Sequence, residues 1–303
     1  MAAMAEGAKN EPTRPRPRRR LPEGLTRALA RIGWTLFSLG FFAGLWELAW
    51  ALGWSNPRLL PPPHVFLGDF LDQSRNFSPT LRWQGFGTAE ALPPLVNVLL
   101  TMTATTARVL AGLSIATVLS IALGVACRWF VAVERLTLPT VTFLAPVSPI
   151  AWLPIAIFLF GIGDKPAVFM VFIALFFAMT LGTITEIDRV NENYLNVART
   201  MGATKAQLYA RVILPAIAPG LLVVLRMNMF AAWMVVLLAE ATGVGSGLGQ
   251  IIMLARNTFN PSLVYFTITL IGVLGFLSDF VLRKVQERFL FWAPNGAGSR
   301  GGR

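Results

Sequence analysis

The sequence predicts an all-α integral membrane protein, and three observations carry that prediction. Of 303 residues, 55% are hydrophobic and 14% charged, against about 25% charged in an ordinary soluble domain. The apolar residues gather into six runs, each about as long as or longer than the roughly 20 residues a helix needs to cross a hydrocarbon core. No stretch alternates polar and apolar for long enough to make a barrel strand. A soluble globular enzyme and a disordered chain are excluded on the same grounds. The single Cys127 and single His64 leave no disulfide framework and no His/Cys metal cage.

The first run spans Trp34 to about Gly53. It is too long for a signal-peptide core and lacks a small-residue cleavage site, so no removable signal is expected. Ahead of it, residues 1–33 read as a disordered basic cytoplasmic tail, with Pro12, Pro15 and Pro17 among Arg14, Arg16, Arg18, Arg19 and Arg20. Anionic lipid headgroups are the functional alternative for that tail. The second run covers about Val98 to Cys127, where Gly112, Ser114, Ala116, Ser120 and Gly124 permit close helix approach. The third covers about Leu136 to Phe160 and is interrupted by Pro139, Pro146, Pro149 and Pro154. Prolines free backbone carbonyls, which is tolerated at membrane depth where the backbone is buried or lines a cavity. Pro146 to Pro154, with Ser148 and Trp152, is therefore either part of a translocation path or a packed kink. The fourth run spans about Ala167 to Ile187, the fifth about Leu214 to Ala241, and the sixth about Val264 to Leu282.

A net charge of +11 has two readings, nucleic acid or membrane orientation. With the N-terminus inside, the cytoplasmic segments hold 8, 2, 4 and 5 Lys/Arg, nineteen in all, whereas the outer segments hold five. Arg108 and Arg226 lie within runs. This is the asymmetry of the positive-inside rule. The charge is topological, and nucleic acid drops out.

The segment of about 188–213, between the fourth and fifth runs, is too polar for lipid. Tyr194, Val197, Met201, Leu208 and Val212 recur at helical spacing on either side of Gly202. Gly202 breaks the run, Thr204 is placed to cap a second helix, and Pro215 opens the fifth run. The spacing predicts a cytoplasmic helix–turn–helix whose apolar ridge needs a partner.

That segment resembles the coupling loop of ABC importer permeases, Glu-Ala-Ala, three residues, Gly, nine residues, Ile-x-Leu-Pro. Ala198, Gly202, Val212, Leu214 and Pro215 match in register, while Asn196 stands where the family has Glu and Val197 where it has Ala. "RVLAGL" (108–113), "APVSPIAWLPIAIFLFGIGD" (145–164), "AEATGVGSGLGQII" (239–252), "SDFVLRKVQERFLFWAP" (278–294) and "LLPPPHVF" (59–66) resemble the nitrate/sulfonate/taurine/bicarbonate branch. The likeness covers roughly residues 34–293, with 77–91 longer than the branch usually has. It implies a type I ABC importer permease-like fold of six transmembrane helices, both termini cytoplasmic, in a bacterial inner membrane. The permease domain is then 34–293 and the C-terminal tail 294–303. It further implies a second permease copy or paralogue, an extracytoplasmic solute-binding protein, and ABC ATPase subunits docked at Asn196, Val197, Ala198, Gly202, Ala203, Leu214 and Pro215. The solute expected is a small anion, namely nitrate, a sulfonate, taurine, bicarbonate or an organic acid.

No Gly-x4-Gly-Lys-Ser/Thr loop is present; "GIGDKP" and "MGATKA" fail in spacing and context. ATP and its Mg ion are thus expected on the partner ATPase, and no cofactor on this chain. "GVGSGLGQ" (243–250) has glycines every second residue and no preceding strand, so it reads as a bend or close packing rather than a dinucleotide loop. An intramembrane protease would need paired Asp, a Ser/His pair or a zinc site within the bilayer, and Asp279, near a cytoplasmic end, is the lone Asp inside a run. The chain is read as a transport subunit rather than an enzyme. An ATPase-independent secondary transporter or channel is the alternative, and a membrane scaffold without a solute path is a third.

A charge at the bilayer centre costs about 2.5–3.5 kcal/mol on insertion scales. Arg108, Arg226, Glu47 and Glu240 therefore need partners, an interface or a cavity. Arg108 and Glu240 both fall in the outer half, where they form either an ion pair holding an outer gate or, for Arg108, a direct contact to an anionic solute. Arg226 lines an interior cavity or pairs with a neighbour, and Glu47 reaches the outer interface.

Overall fold

The computed structural model describes residues 23–54, 56, 59–77 and 93–289. Among them every regular element is helical. The expected basic tail as far as Pro22, most of the 77–91 stretch and the C-terminal tail 294–303 lie outside the described residues.

The chain divides into two units, Met1–Pro57 and Arg58–Arg303. The first contains α1 (Glu23–Ala51), a 29-residue helix. It begins before the apolar run, so the part of the expected tail from Glu23 to Gly33 is helical rather than disordered. Leu25, Ala28, Leu29 and Ala30 favour helix, and no proline intervenes between Pro22 and Pro57. Trp34, Phe37, Phe41 and Phe42 form a chain of ring contacts 5.8–6.4 Å apart along it.

The second unit opens with two short helices, α2 (Pro63–Gly68) and α3 (Phe70–Ser74), and a 3-10 turn, Arg75–Phe77. Phe70 and the fully buried Phe77 pack edge-on against Phe266. Then follow α4 (Pro94–Trp129), α5 (Val131–Leu144), a 3-10 turn (Pro149–Trp152), α6 (Leu153–Phe160) and α7 (Asp164–Asp188). The hairpin expected on the cytoplasmic side is α8 (Glu192–Thr200) and α9 (Lys205–Leu208). A π-helical turn (Tyr209–Ile213) leads into α10 (Leu214–Ala239), which ends in a second π turn (Glu240–Val244). The short α11 (Leu248–Asn257) and the long α12 (Pro261–Phe289) are the last described helices.

Four of these segments are long and apolar enough to cross a membrane: Pro94–Trp129, Asp164–Asp188, Lys205–Val244 and Pro261–Arg288. A fifth is reached by joining α5 to Pro149–Phe160, which are bent by 105° at their break. Length and composition thus support four or five spans among the described residues, not the six expected. One physical difference concerns the third run. The third run is not one crossing helix, because Pro146 sits in the break and Pro149 opens the next turn, where its missing N–H costs little.

The core lies where α4 and α7 cross. A Cβ on Gly112 would come 2.6 Å from Val171 Cβ, and one on Gly124 would come 2.7 Å from Thr183 Cγ2. With the buried Ala116 and Ser120 they make a row at four-residue spacing that brings the two backbones together. Ser114 is exposed and off that row, because two residues' advance turns the helix about 200° away.

Candidate functional site

Two ionic clusters within the spans and one cytoplasmic hairpin hold the charged and unpartnered groups that the sequence singles out. The outer cluster centres on Arg108. Its Nε donates to Asp164 Oδ1 at 2.8 Å, Nη1 to Glu240 Oε1 at 2.5 Å and to the Ser246 carbonyl at 3.1 Å, and Nη2 to Ser246 Oγ at 2.7 Å. Nη2 also lies 2.5 Å from Asp164 Oδ1. A guanidinium has five N–H donors, and these contacts occupy every one of its nitrogens. Arg108 is 4% exposed and Glu240 0%, whereas Asp164 is 66% exposed.

The backbone around Glu240 explains the glycine repeat. The π turn places the Glu240 carboxylate under the loop that follows, and its Oε2 accepts the Gly249 N–H at 3.0 Å. Gly245 and Gly247 have φ of +75° and +106°, which favour glycine. A Cβ on Gly247 would strike the Glu240 carboxyl group, and one on Gly249 would strike the Leu237 carbonyl. The repeat thus wraps backbone around a buried carboxylate. The sequence paired Arg108 with Glu240 but did not find Asp164 or Ser246; the available signal was their position beside glycines in loops flanking the spans.

Near the middle of α10, Arg226 Nε donates to Asp279 Oδ1 at 2.5 Å and Nη2 to Oδ2 at 3.2 Å. Arg283, one turn further along α12, also donates to Asp279 Oδ2. Arg226 therefore pairs with a neighbour, one of its two expected fates. Ser148 is exposed in the break of the third run, and Trp152 packs on Phe177 with ring centroids 6.5 Å apart. Neither touches Arg108 or Arg226 by any hydrogen bond or ion pair of those clusters. The break does approach the outer cluster through α6, since a Cβ on Gly243 of the π turn would lie 3.2 Å from Leu153 and Ile157. Glu47 is half-buried on α1, in the other unit.

The hairpin forms as its caps dictate. Asn191 Oδ1 accepts the Asn193 N–H at 2.9 Å and starts α8. Gly202, with φ of +79°, makes the turn, and Thr204 with Gln207 forms a reciprocal capping box for α9. Leu208, Ile213 and Ile217 bury against Ile187, and Leu195, Ala198 and Val212 pack on the same cluster. The expected single ridge is split: Leu208 and Val212 face the bundle, while Tyr194, Val197 and Met201 are exposed. Asn196 is also exposed and accepts from Arg199 at 3.4 Å. Ala203 is half-buried, and Leu214 and Pro215 are exposed at the start of α10. The hairpin is fastened to the end of α4. Lys205 Nζ donates to the Trp129 carbonyl at 3.0 Å and lies 5.5 Å over its ring, and Tyr209 Oη donates to the Arg128 carbonyl at 2.7 Å. Arg128 itself pairs with Glu134 and Asp188.

Residues 116–290 match the family described as the binding-protein-dependent transport system inner membrane component. This chain belongs to that family. The taurine transport system permease protein TauC of Escherichia coli strain K12 is 26% identical to this family member over 260 residues, 84% of this chain and 89% of TauC. The nitrate import permease protein NrtB of Leptolyngbya laminosa is 28% identical over 181 residues, 60% of this chain and 65% of NrtB. A chain of the inward-facing MetNI methionine ABC transporter has the same fold, with a TM-score of 0.50 at 18% identity over 61% of this chain and 94% of that one. The inner membrane component described here is thus an ABC-type permease of multiple apolar helices, similar to the taurine, sulfonate and nitrate permeases.

Proposed function

We propose that this permease forms half of the solute path of an ATP-driven importer for a small anionic solute. A second copy or paralogue completes the path, an extracytoplasmic binding protein delivers the solute, and ATP with Mg is bound and hydrolysed on separate ATPase chains. The observation that carries this reading is the exposed Tyr194–Val197–Met201 ridge along α8 and its C-cap, in a hairpin otherwise held to the bundle by buried residues. An apolar ridge on a polar cytoplasmic loop fits a groove on another protein. ATP-driven closure of the ATPase pair would pull on this ridge and bias the spans between outward- and inward-facing states. The Arg108–Glu240 pair would act as the outer gate, because it joins α4 to the end of α10 without access to bulk water.

The saturated guanidinium of Arg108 argues against that residue as a direct solute contact, since a solute anion would have to displace a carboxylate. The taurine and nitrate permeases among its relatives support a small anion as cargo. The test is co-purification of the ATPase with the detergent-extracted permease. Val197→Glu with Met201→Glu, both outside the buried cluster, is expected to release the ATPase and abolish ATP-dependent uptake. Retention of the ATPase by that double variant, or ATP-independent uptake by the wild type, refutes the reading, the second outcome in favour of a secondary transporter.

A further inference from the structure

The two ionic clusters differ in charge balance. Around Arg108 one cation meets two carboxylates, and every guanidinium nitrogen is engaged. Around Asp279 the ratio is reversed: Arg226 and Arg283 share its single, buried carboxylate. That trio carries a net charge of +1. Arg226 uses Nε and Nη2 on Asp279, and Arg283 uses Nη2, so Arg226 Nη1 and the Nε and Nη1 of Arg283 have no hydrogen-bond partner among the described residues. Neither arginine is sealed in, Arg226 being 38% and Arg283 46% exposed. Arg226 lies about 18 Å along α10 from Leu214. Its helical neighbours Val223 and Phe230, three residues before and four after, are exposed too, so its guanidinium borders an open apolar face rather than the core. An excess positive charge among apolar surfaces within a span is costly to leave alone and marks a functional position.

We infer that Arg226 and Arg283, bridged and oriented by Asp279, hold an oxyanion within the helix bundle, level with the middle of α10. The free N–H groups match the planar or tetrahedral oxygens of nitrate, bicarbonate or a sulfonate, and the fork geometry of arginine suits such groups. Asp279 keeps the two guanidinia together without neutralising both, so the site attracts an anion yet releases it. This deepens the reading of the chain as an anion importer and rests on it. The same chemistry would also be supplied by an inner-leaflet lipid phosphate, and the two sources are separable.

The permease–ATPase complex, without binding protein, is placed in phosphatidylcholine nanodiscs and titrated calorimetrically with sodium nitrate and with sodium ethanesulfonate. Saturable binding is expected, weakened at least about tenfold in Arg226→Gln, as fits a lost charged hydrogen bond. Arg226→Lys, which keeps the charge though not the fork, is expected to recover only part of it. In proteoliposomes containing the whole transporter, the KM for the solute should rise in Arg226→Gln and fall back in Arg226→Lys. Retention of phosphatidylglycerol by the wild type and its loss from Arg226→Gln, without solute binding in phosphatidylcholine, assigns the site to lipid phosphate. Binding of neither ligand, or equal impairment of the Gln and Lys variants, overturns the site. Failure of the wild type to take up solute with ATP would instead overturn the importer reading, while the nanodisc titration still judges the site.

Discussion

At the residue scale, a buried charge is only as stable as its complete set of partners. Glu240 satisfies Arg108 and the Gly249 N–H while wholly removed from solvent. Deleting one member of a buried pair strands the other and typically costs about 3–5 kcal/mol. Glu240→Ala is therefore expected to lower thermal stability in detergent by that order. Asp164→Asn, at an exposed carboxylate on the same arginine, should cost less than about 1 kcal/mol. Equal losses in the two variants would contradict this account of the outer cluster. Arg108, Arg226 and Glu240 were legible in the sequence because a charge in an apolar run stands out. Their partners were less so. Which carboxylate meets Arg226 depends on α10 lying beside α12, and no spacing within one helix encodes that. Asp279 was visible as an intramembrane acid, but its role waited on that neighbour.

At the element scale, the helices were legible and their irregularities were not. The apolar runs located α4, α7 and α10 to within four residues and α12 except for its last seven, and the caps located the hairpin, because both signals are local. The π turns at the two ends of α10 depend on hydrogen-bond register, which composition does not report. The prolines marked the third run as broken but left the size of the bend open, since the 105° angle is set by what α5 and α6 pack against. Packing between α4 and α7 provides a direct check. Gly112→Leu places a side chain where Val171 already stands and should lower the thermal midpoint clearly. Ser114→Leu, two residues away on an exposed face, should leave it within about 0.5 kcal/mol of wild type. A similar fall in both would show that the close approach does not depend on this row.

At the scale of the whole molecule, charge alone predicts an orientation, because insertion responds to the Lys/Arg bias of short loops. It places the hairpin inside and α11 outside. Cys127 is buried and is the chain's one cysteine, so engineered cysteines report cleanly. Arg256→Cys is expected to react with a membrane-impermeant maleimide on intact cells, and Tyr194→Cys only after permeabilisation; the reverse pattern would invert the topology. The end of α4 links that hairpin to the bundle through two carbonyls, those of Arg128 and Trp129, which accept from Tyr209 and Lys205. Terminal carbonyls of a helix have no partner within it. Drawing the hairpin outward would strip both of their donors, and at headgroup depth water takes their place, at about 0.5–1.5 kcal/mol each. Such a fastening is a weak spring rather than a weld: it yields to a firm pull and recoils when the pull ends, so the resting position of the hairpin is written into the last turn of α4.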